Sequence, residues 1–217
     1  MSAIIFDTET TGLNEPTLVE AAWLEVLHPR TLARGREYCA RFNPGKAIEF
    51  GAMATHHITN DDVEGMPPSS RFRLPDGVEY LIGHNVDFDW AVIGKPEVKR
   101  ICTLAFSRTL WPEDSHSLGA MMYRLEPITA RDALRKAHSA DADVEVCWRI
   151  LNHIVEKIGE PATWEEVWIK CEAARIPTVM TFGKHKGVAI KDVPRDYKSW
   201  LLRQPDVDPY LEKALRA

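Results

Sequence analysis

A chain of 217 residues, 45% hydrophobic and 27% charged, has the make-up of a globular protein with one full domain and room for a small appendage. Its net charge of −5 argues against a general nucleic-acid coat protein, which would usually be basic. No apolar run approaches the ~20 residues needed to cross a bilayer, and no basic-then-apolar leader opens the sequence. Cys39, Cys102, Cys147 and Cys171 are irregularly spaced with no C-x-x-C pair. They read as reduced, mostly buried thiols, not a disulfide framework or zinc site, and the expected location is the cytoplasm.

The first predicted strand is the apolar run Ala3-Ile4-Ile5-Phe6, which leads into Asp7-Thr8-Glu9-Thr10-Thr11-Gly12-Leu13. Two carboxylates at i, i+2 on a strand project to one face, where their repulsion calls for a hard divalent cation. Further strands are expected over Leu18–Leu27 and around Glu37–Phe42, giving an antiparallel meander. A short helix follows around Gly51–His57. Tyr80–Gly83 reads as a fourth strand delivering His84-Asn85-Val86-Asp87-Phe88-Asp89, with Asn85 as N-cap of a helix carrying Asp89. Arg100–Leu104 reads as a fifth strand, followed by helices ending near Trp111 and spanning Ser117–Leu125.

The strongest helical pattern starts near Ser139 or Ala140. Val144, Cys147, Trp148, Leu151, Ile154, Val155 and Ile158 form one apolar face, and Asp143 lies on it one turn before Cys147. An unpaired carboxylate on an inward face is costly, whereas a metal-bound one is not. A helix capped by Thr163 runs to about Arg175. Beyond Pro177, Thr181–Gly187 reads as a glycine-flanked hairpin and Tyr197–Leu202 as a short helix. The expected fold class is α/β with a sheet of about five strands.

Three ordered motifs carry a family resemblance: Asp7-x-Glu9 with its Thr-Thr-Gly-Leu extension, Asn85-x-x-Phe88-Asp89, and His138-x4-Asp143. Together they resemble the DEDD superfamily of 3′→5′ exonucleases, in its histidine subtype. The tail Thr181–Leu202 is similar to the small C-terminal module of exodeoxyribonuclease X-like proteins. The resemblance implies a ribonuclease H-like fold, with a catalytic domain over 1–176 and a C-terminal module over 177–217. It implies two Mg2+ or Mn2+ ions, with Asp7 bridging both, Glu9 and Asp143 completing one site, Asp89 holding the other, and His138 as general base. Imidazole titrates near neutrality, which suits that task.

Substrate contacts are implied for Thr10, Thr11 and Gly12 through backbone N–H groups, for Leu13 through packing on the terminal base, and for His56, Asn85 and Phe88. Some choices stay open on residues alone. Asp87 competes with Asp89, and a small or neutral residue is usual at position 87. Asp141 competes with Asp143. His56 reads equally as a satisfied helix-end histidine, with His57-Ile58-Thr59 as the alternative match.

The implied activity is hydrolysis of DNA from single- or double-stranded 3′ ends, releasing nucleoside 5′-monophosphates in repair or end trimming. The alternatives are an RNA 3′-end trimmer, a polymerase proofreading subunit and a non-catalytic nucleic-acid-binding adaptor. A homodimer is compatible by analogy. From Thr181 onward, eight Lys/Arg face five Asp/Glu, so the tail carries +3 and the remainder −8. Lys184, His185 and Lys186 are therefore candidates for contact with a nucleic-acid backbone.

Overall fold

The computed structural model describes residues 2–217. Its strands are β1 (Ser2–Thr10), β2 (Leu18–Val26), β3 (Arg34–Arg41), β4 (Val78–Gly83) and β5 (Lys99–Cys102). They form one sheet in the order β3-β2-β1-β4-β5. The first three are antiparallel neighbours, and β1–β4 and β4–β5 pair in parallel. Central placement explains the unbroken apolar run of β1: Ala3, Ile4, Ile5 and Phe6 are all buried. The edge strand β3, RGREYCAR, is instead charged and mostly exposed, which discourages pairing with another chain.

Between β3 and β4 lie α1 (Phe50–His56) and α2 (Asn60–Val63), and α3 (Asp87–Val92) joins β4 to β5. Then come α4 (Thr103–Leu110), α5 (Leu118–Leu125), α6 (Ala130–Ala133), α7 (Ala140–Lys157) and α8 (Trp164–Ala174). The long α7 lies against β1 and β2 on one side and α4 and α5 on the other. Val144, Val146, Cys147, Ile150, Leu151, Ile154 and Val155 are buried there. At roughly 1.5–3 kcal/mol for each large aliphatic side chain, packing holds this helix more than intrinsic propensity does.

Three expected local structures differ. β5 stops at Cys102, because Thr103 starts α4 and its hydroxyl donates to the Gly83 carbonyl at 3.2 Å. Asn85 is not the cap of α3; that position is Val86, with no side-chain capping bond. Asn85 instead takes a left-handed φ of 72°, tolerable for asparagine, and its carbonyl accepts from the Phe88 N–H at 3.0 Å. The expected hairpin at Thr181–Gly187 is reduced to one antiparallel bridge, Val179 with Ala189, around a single 3-10 turn at Gly183–His185.

The C-terminal segment adds α9 (Arg195–Leu201) and α10 (Pro209–Arg216). Met180, Ile190, Val193, Leu201, Leu211, Ala214 and Leu215 form a hydrophobic cluster separate from the main core. Tyr210 on α10 donates its hydroxyl to Glu172 on α8 at 2.8 Å, and the Arg175 guanidinium lies 5.1 Å over the Tyr210 ring.

Candidate active site

Strand alternation places Asp7 and Glu9 on one face of β1 and Thr8 on the other. Asp143 reaches the first pair from the opening turn of α7. The three side chains each offer a carboxylate oxygen, all lying within 4.8 Å of one another. Among the described residues no Lys or Arg forms an ion pair with any of the three.

Asp89 approaches from α3. It is 4% exposed, and its Oδ1 accepts from both the Thr8 hydroxyl at 2.6 Å and the Thr8 N–H at 3.0 Å. Asp87 points elsewhere. It is paired with Arg100 and, at 2.6 Å, with Arg175, whose side chain is only 4% exposed. The two aspartates thus point to different sides of one short helix, and Asp89 is the one beside β1. Asp141 likewise separates from Asp143: it is exposed, near Glu20 and Cys39, and accepts from Ser139 Oγ at 2.8 Å.

Gathering these acids raises their affinity for protons. Burial, reinforced by Asp89, Asp143, Glu9 and Glu20, lifts Asp7 well above the ordinary carboxylate range. Burial and then Asp143, Glu20 and Asp89 push Glu9 up to about 8. Burial raises Asp89 to about 7 despite the two bonds from Thr8. Asp143 is raised by burial and partly held down by the His138 N–H, which donates to its Oδ1 at 3.3 Å. A set of carboxylates whose mutual repulsion is left uncompensated by the chain's own cations suits a hard divalent cation.

His138 sits two residues before α7, exposed, with a left-handed φ of 68° that is uncommon outside glycine. The loop after β1 is more enclosed than the motif implied. Thr11 is buried, its N–H donating to Thr17 O at 3.0 Å and its carbonyl accepting from Glu49 N–H at 2.8 Å. Its N–H is therefore already used, contrary to the expectation that it meets a nucleotide. Thr10 is also buried, and its hydroxyl donates to Gly12 O at 3.1 Å. Gly12 has φ 152°, a backbone conformation that residues with a side chain rarely adopt, and the Glu49 carboxyl group occupies the space where a Cβ would stand. Leu13, in contrast, is 85% exposed.

His56 is buried, with both ring nitrogens engaged inside the protein. Nδ1 accepts from Ile58 N–H at 3.0 Å, which leaves Nε2 to donate to Thr10 O at 3.2 Å. Burial lowers its pKa, in keeping with this neutral form. It holds the end of β1 in place, and His57 is the left-handed C-cap of α1. Asn85 is exposed and Phe88 half-buried beside Asp89.

One acid was missed in the sequence. Glu20 on β2 lies directly opposite Glu9, buried, and accepts from Arg41 Nε at 3.1 Å and from the Ala140 N–H at 3.0 Å. It ties the N-terminus of α7 to the sheet, where the helix dipole favours an anion. The available signal was a charged residue inside the apolar run LVEAAW.

No protein-family model matches the chain. It is 30% identical over 219 residues to exodeoxyribonuclease 10 of Escherichia coli strain K12, covering 98% of this chain and 96% of that protein. It is 28% identical over 163 residues to DNA polymerase III subunit epsilon of Buchnera aphidicola subsp. Acyrthosiphon pisum, covering 64% of this chain and 67% of that one. The solved structure of exonuclease X in complex with 5′ overhanging duplex DNA aligns with a TM-score of 0.59 at 26% identity, over 76% of this chain and 99% of that chain. The mixed five-stranded sheet with flanking helices is the ribonuclease H-like fold of these exonucleases. The chain belongs to the DEDD superfamily of 3′→5′ exonucleases, in the branch of exodeoxyribonuclease 10.

Proposed function

We propose that this chain hydrolyses DNA from the 3′ end, one nucleoside 5′-monophosphate at a time, with two Mg2+ or Mn2+ ions. The convergence of Asp7, Glu9 and Asp143, with no basic side chain paired to them among the described residues, carries the reading. Magnesium or manganese, when bound, supplies the positive charge that hydrolysis needs at the entering and leaving oxygens. Asp7 is proposed to hold both ions, Glu9 and Asp143 to complete one site, and Asp89 to serve the other. All the donors are oxygens, as those ions prefer.

His138 is the proposed general base. Its imidazole takes a proton from the attacking water, whose oxygen bonds to phosphorus as the 3′ oxygen of the preceding nucleotide leaves. The N–H of the same residue orients Asp143, so base and acid are held by one turn of chain. Leu13 is proposed to pack on the terminal base, with Asn85 and Phe88 bordering the same strand end. Residues 1–176 are proposed as the catalytic unit and 177–217 as an attached module, in line with the separate apolar cluster of the latter. No helix among the described residues is long and apolar enough to cross a membrane. The free cysteines support a reducing, cytoplasmic setting.

The test uses 5′-labelled DNA and RNA oligonucleotides, single- and double-stranded, with magnesium or manganese, beside EDTA and an Asp143→Asn control. The expected result is a ladder shortening from the 3′ end, faster on DNA and abolished in both controls. Faster shortening of RNA would move the substrate assignment to RNA, and no metal-dependent shortening would overturn the reading.

A further inference from the structure

The C-terminal segment has a feature that the proposed chemistry does not use. Lys184, Asp196, Tyr197 and Trp200 line an open cleft of about 320 Å³, formed where the Gly183–His185 turn meets α9. Two aromatic rings build its wall: Tyr197 and Trp200 lie with centroids 5.4 Å apart, and the His185 ring packs edge-on to Tyr197 at 4.6 Å. The Lys184 ammonium stands 5.1 Å over the Tyr197 ring.

The turn is shaped to allow this. Gly183 has φ 69°, and a Cβ there would meet the Tyr197 hydroxyl at 2.6 Å, so the glycine lets the backbone sit directly against the phenol. Trp200 nevertheless remains 47% exposed. Trp200 is not among the residues of the small apolar cluster, and it presents apolar surface to solvent beside Lys184. The neighbouring Lys186, Arg195 and Arg203 are exposed too, on a segment that carries +3 while the remainder of the chain carries −8.

We propose that this cleft is a second nucleic-acid-binding site, one that takes a base of single-stranded DNA against Trp200 and Tyr197 and its flanking phosphates on Lys184 and Lys186. Stacking on an aromatic platform beside lysines is tolerant of base identity, because every base has a π face. Asp196 fits the same occupant. Its carboxylate repels phosphate but accepts from exocyclic amino and ring N–H groups, so the base edge goes inward and the backbone stays outside. The inference rests on nucleic acid being the substrate, and it adds a point of attachment outside the acidic cluster.

The experiment uses the full chain. Anisotropy of 5′-labelled dT20 in EDTA measures binding without hydrolysis, and hydrolysis of thymidine 5′-(4-nitrophenyl phosphate) with magnesium measures the catalytic centre alone. Lys184→Glu/Lys186→Glu changes exposed side chains and is expected to weaken dT20 binding about tenfold or more and flatten its salt dependence. Trp200→Ala is expected to weaken it about tenfold, and Trp200→Phe, which keeps a stacking face, much less. All variants are expected to hydrolyse the small ester at the unchanged rate. Equal dT20 affinity for the wild type and the lysine variant would overturn the proposal. An inactive wild type toward the ester would instead count against the proposed hydrolysis, leaving the binding comparison to be read by itself.

Discussion

Thr8 donates twice to a single oxygen of Asp89, from its hydroxyl at 2.6 Å and from its N–H at 3.0 Å. Strand β1 therefore serves the acidic cluster from both faces, with Asp7 and Glu9 on one and the anchor of Asp89 on the other. Thr8→Val keeps the shape and the backbone bond but removes the hydroxyl. The expected result is a ~10-fold or greater rise in the metal concentration for half-maximal activity, as for other lost partners of metal ligands. Stability should fall by about 1–3 kcal/mol as a buried carboxylate loses a donor. Metal titration of activity and urea unfolding check the two parts.

The metal-free protein should lose stability as pH rises. Glu9 and Asp89 titrate near 8 and 7 in the fold, above their ordinary values, so between roughly pH 4.5 and 8 the native state binds more protons than the unfolded chain. The linkage slope is then negative: their contribution is intact below the unfolded pKa and is lost as pH climbs through the folded one. Thermal unfolding in EDTA should show a lower Tm at pH 8 than at pH 5.5. Magnesium should raise Tm most at the alkaline end, and Glu9→Gln should flatten the profile while removing activity. A metal-free Tm that rises over this interval would contradict the assignment.

Asp87→Asn should separate structure from chemistry on α3. The change leaves Arg175, 4% exposed, without its closest counter-charge, though Glu172 remains 3.6 Å away. Stability is expected to fall by about 2–3 kcal/mol, less than the roughly 3–5 kcal/mol of a fully buried broken pair because the Asp87 side chain is itself 43% exposed. Turnover at low temperature should stay within a few-fold of the wild type. Asp89→Asn should do the reverse, with activity lost and metal-free stability kept or improved. Parallel melts and rate measurements distinguish the two.

Much of this was readable from residue patterns, for definite physical reasons. The period-two placement of Asp7 and Glu9 and the broad apolar face of α7 are local regularities, and both survive in the fold. The sheet order could not be read from spacing, since β1 pairs with β4 across the whole α1–α2 excursion. What the acids face was equally hidden. Asp87 and Asp89 are told apart by partners from elsewhere in the chain: Arg100 on β5, and Arg175 and Thr8 at separations of 88 and 81 residues. His56 was undecidable because its role depends on two backbone groups and not on its neighbours' identity. Glu20 was overlooked because its meaning comes from the antiparallel register with Glu9.

The bulge between Glu9 and Thr10 has a developmental side. Asp7 and Glu9 leave the ribosome well before Asp143 and the Ala140 amide that meets Glu20, which emerge only with α7. Until then the two early carboxylates have no third member and the bulged strand end has no helix to lean on. On the proposed roles, a nascent chain would lack the complete acid set, and cutting would begin only when the late helix docks.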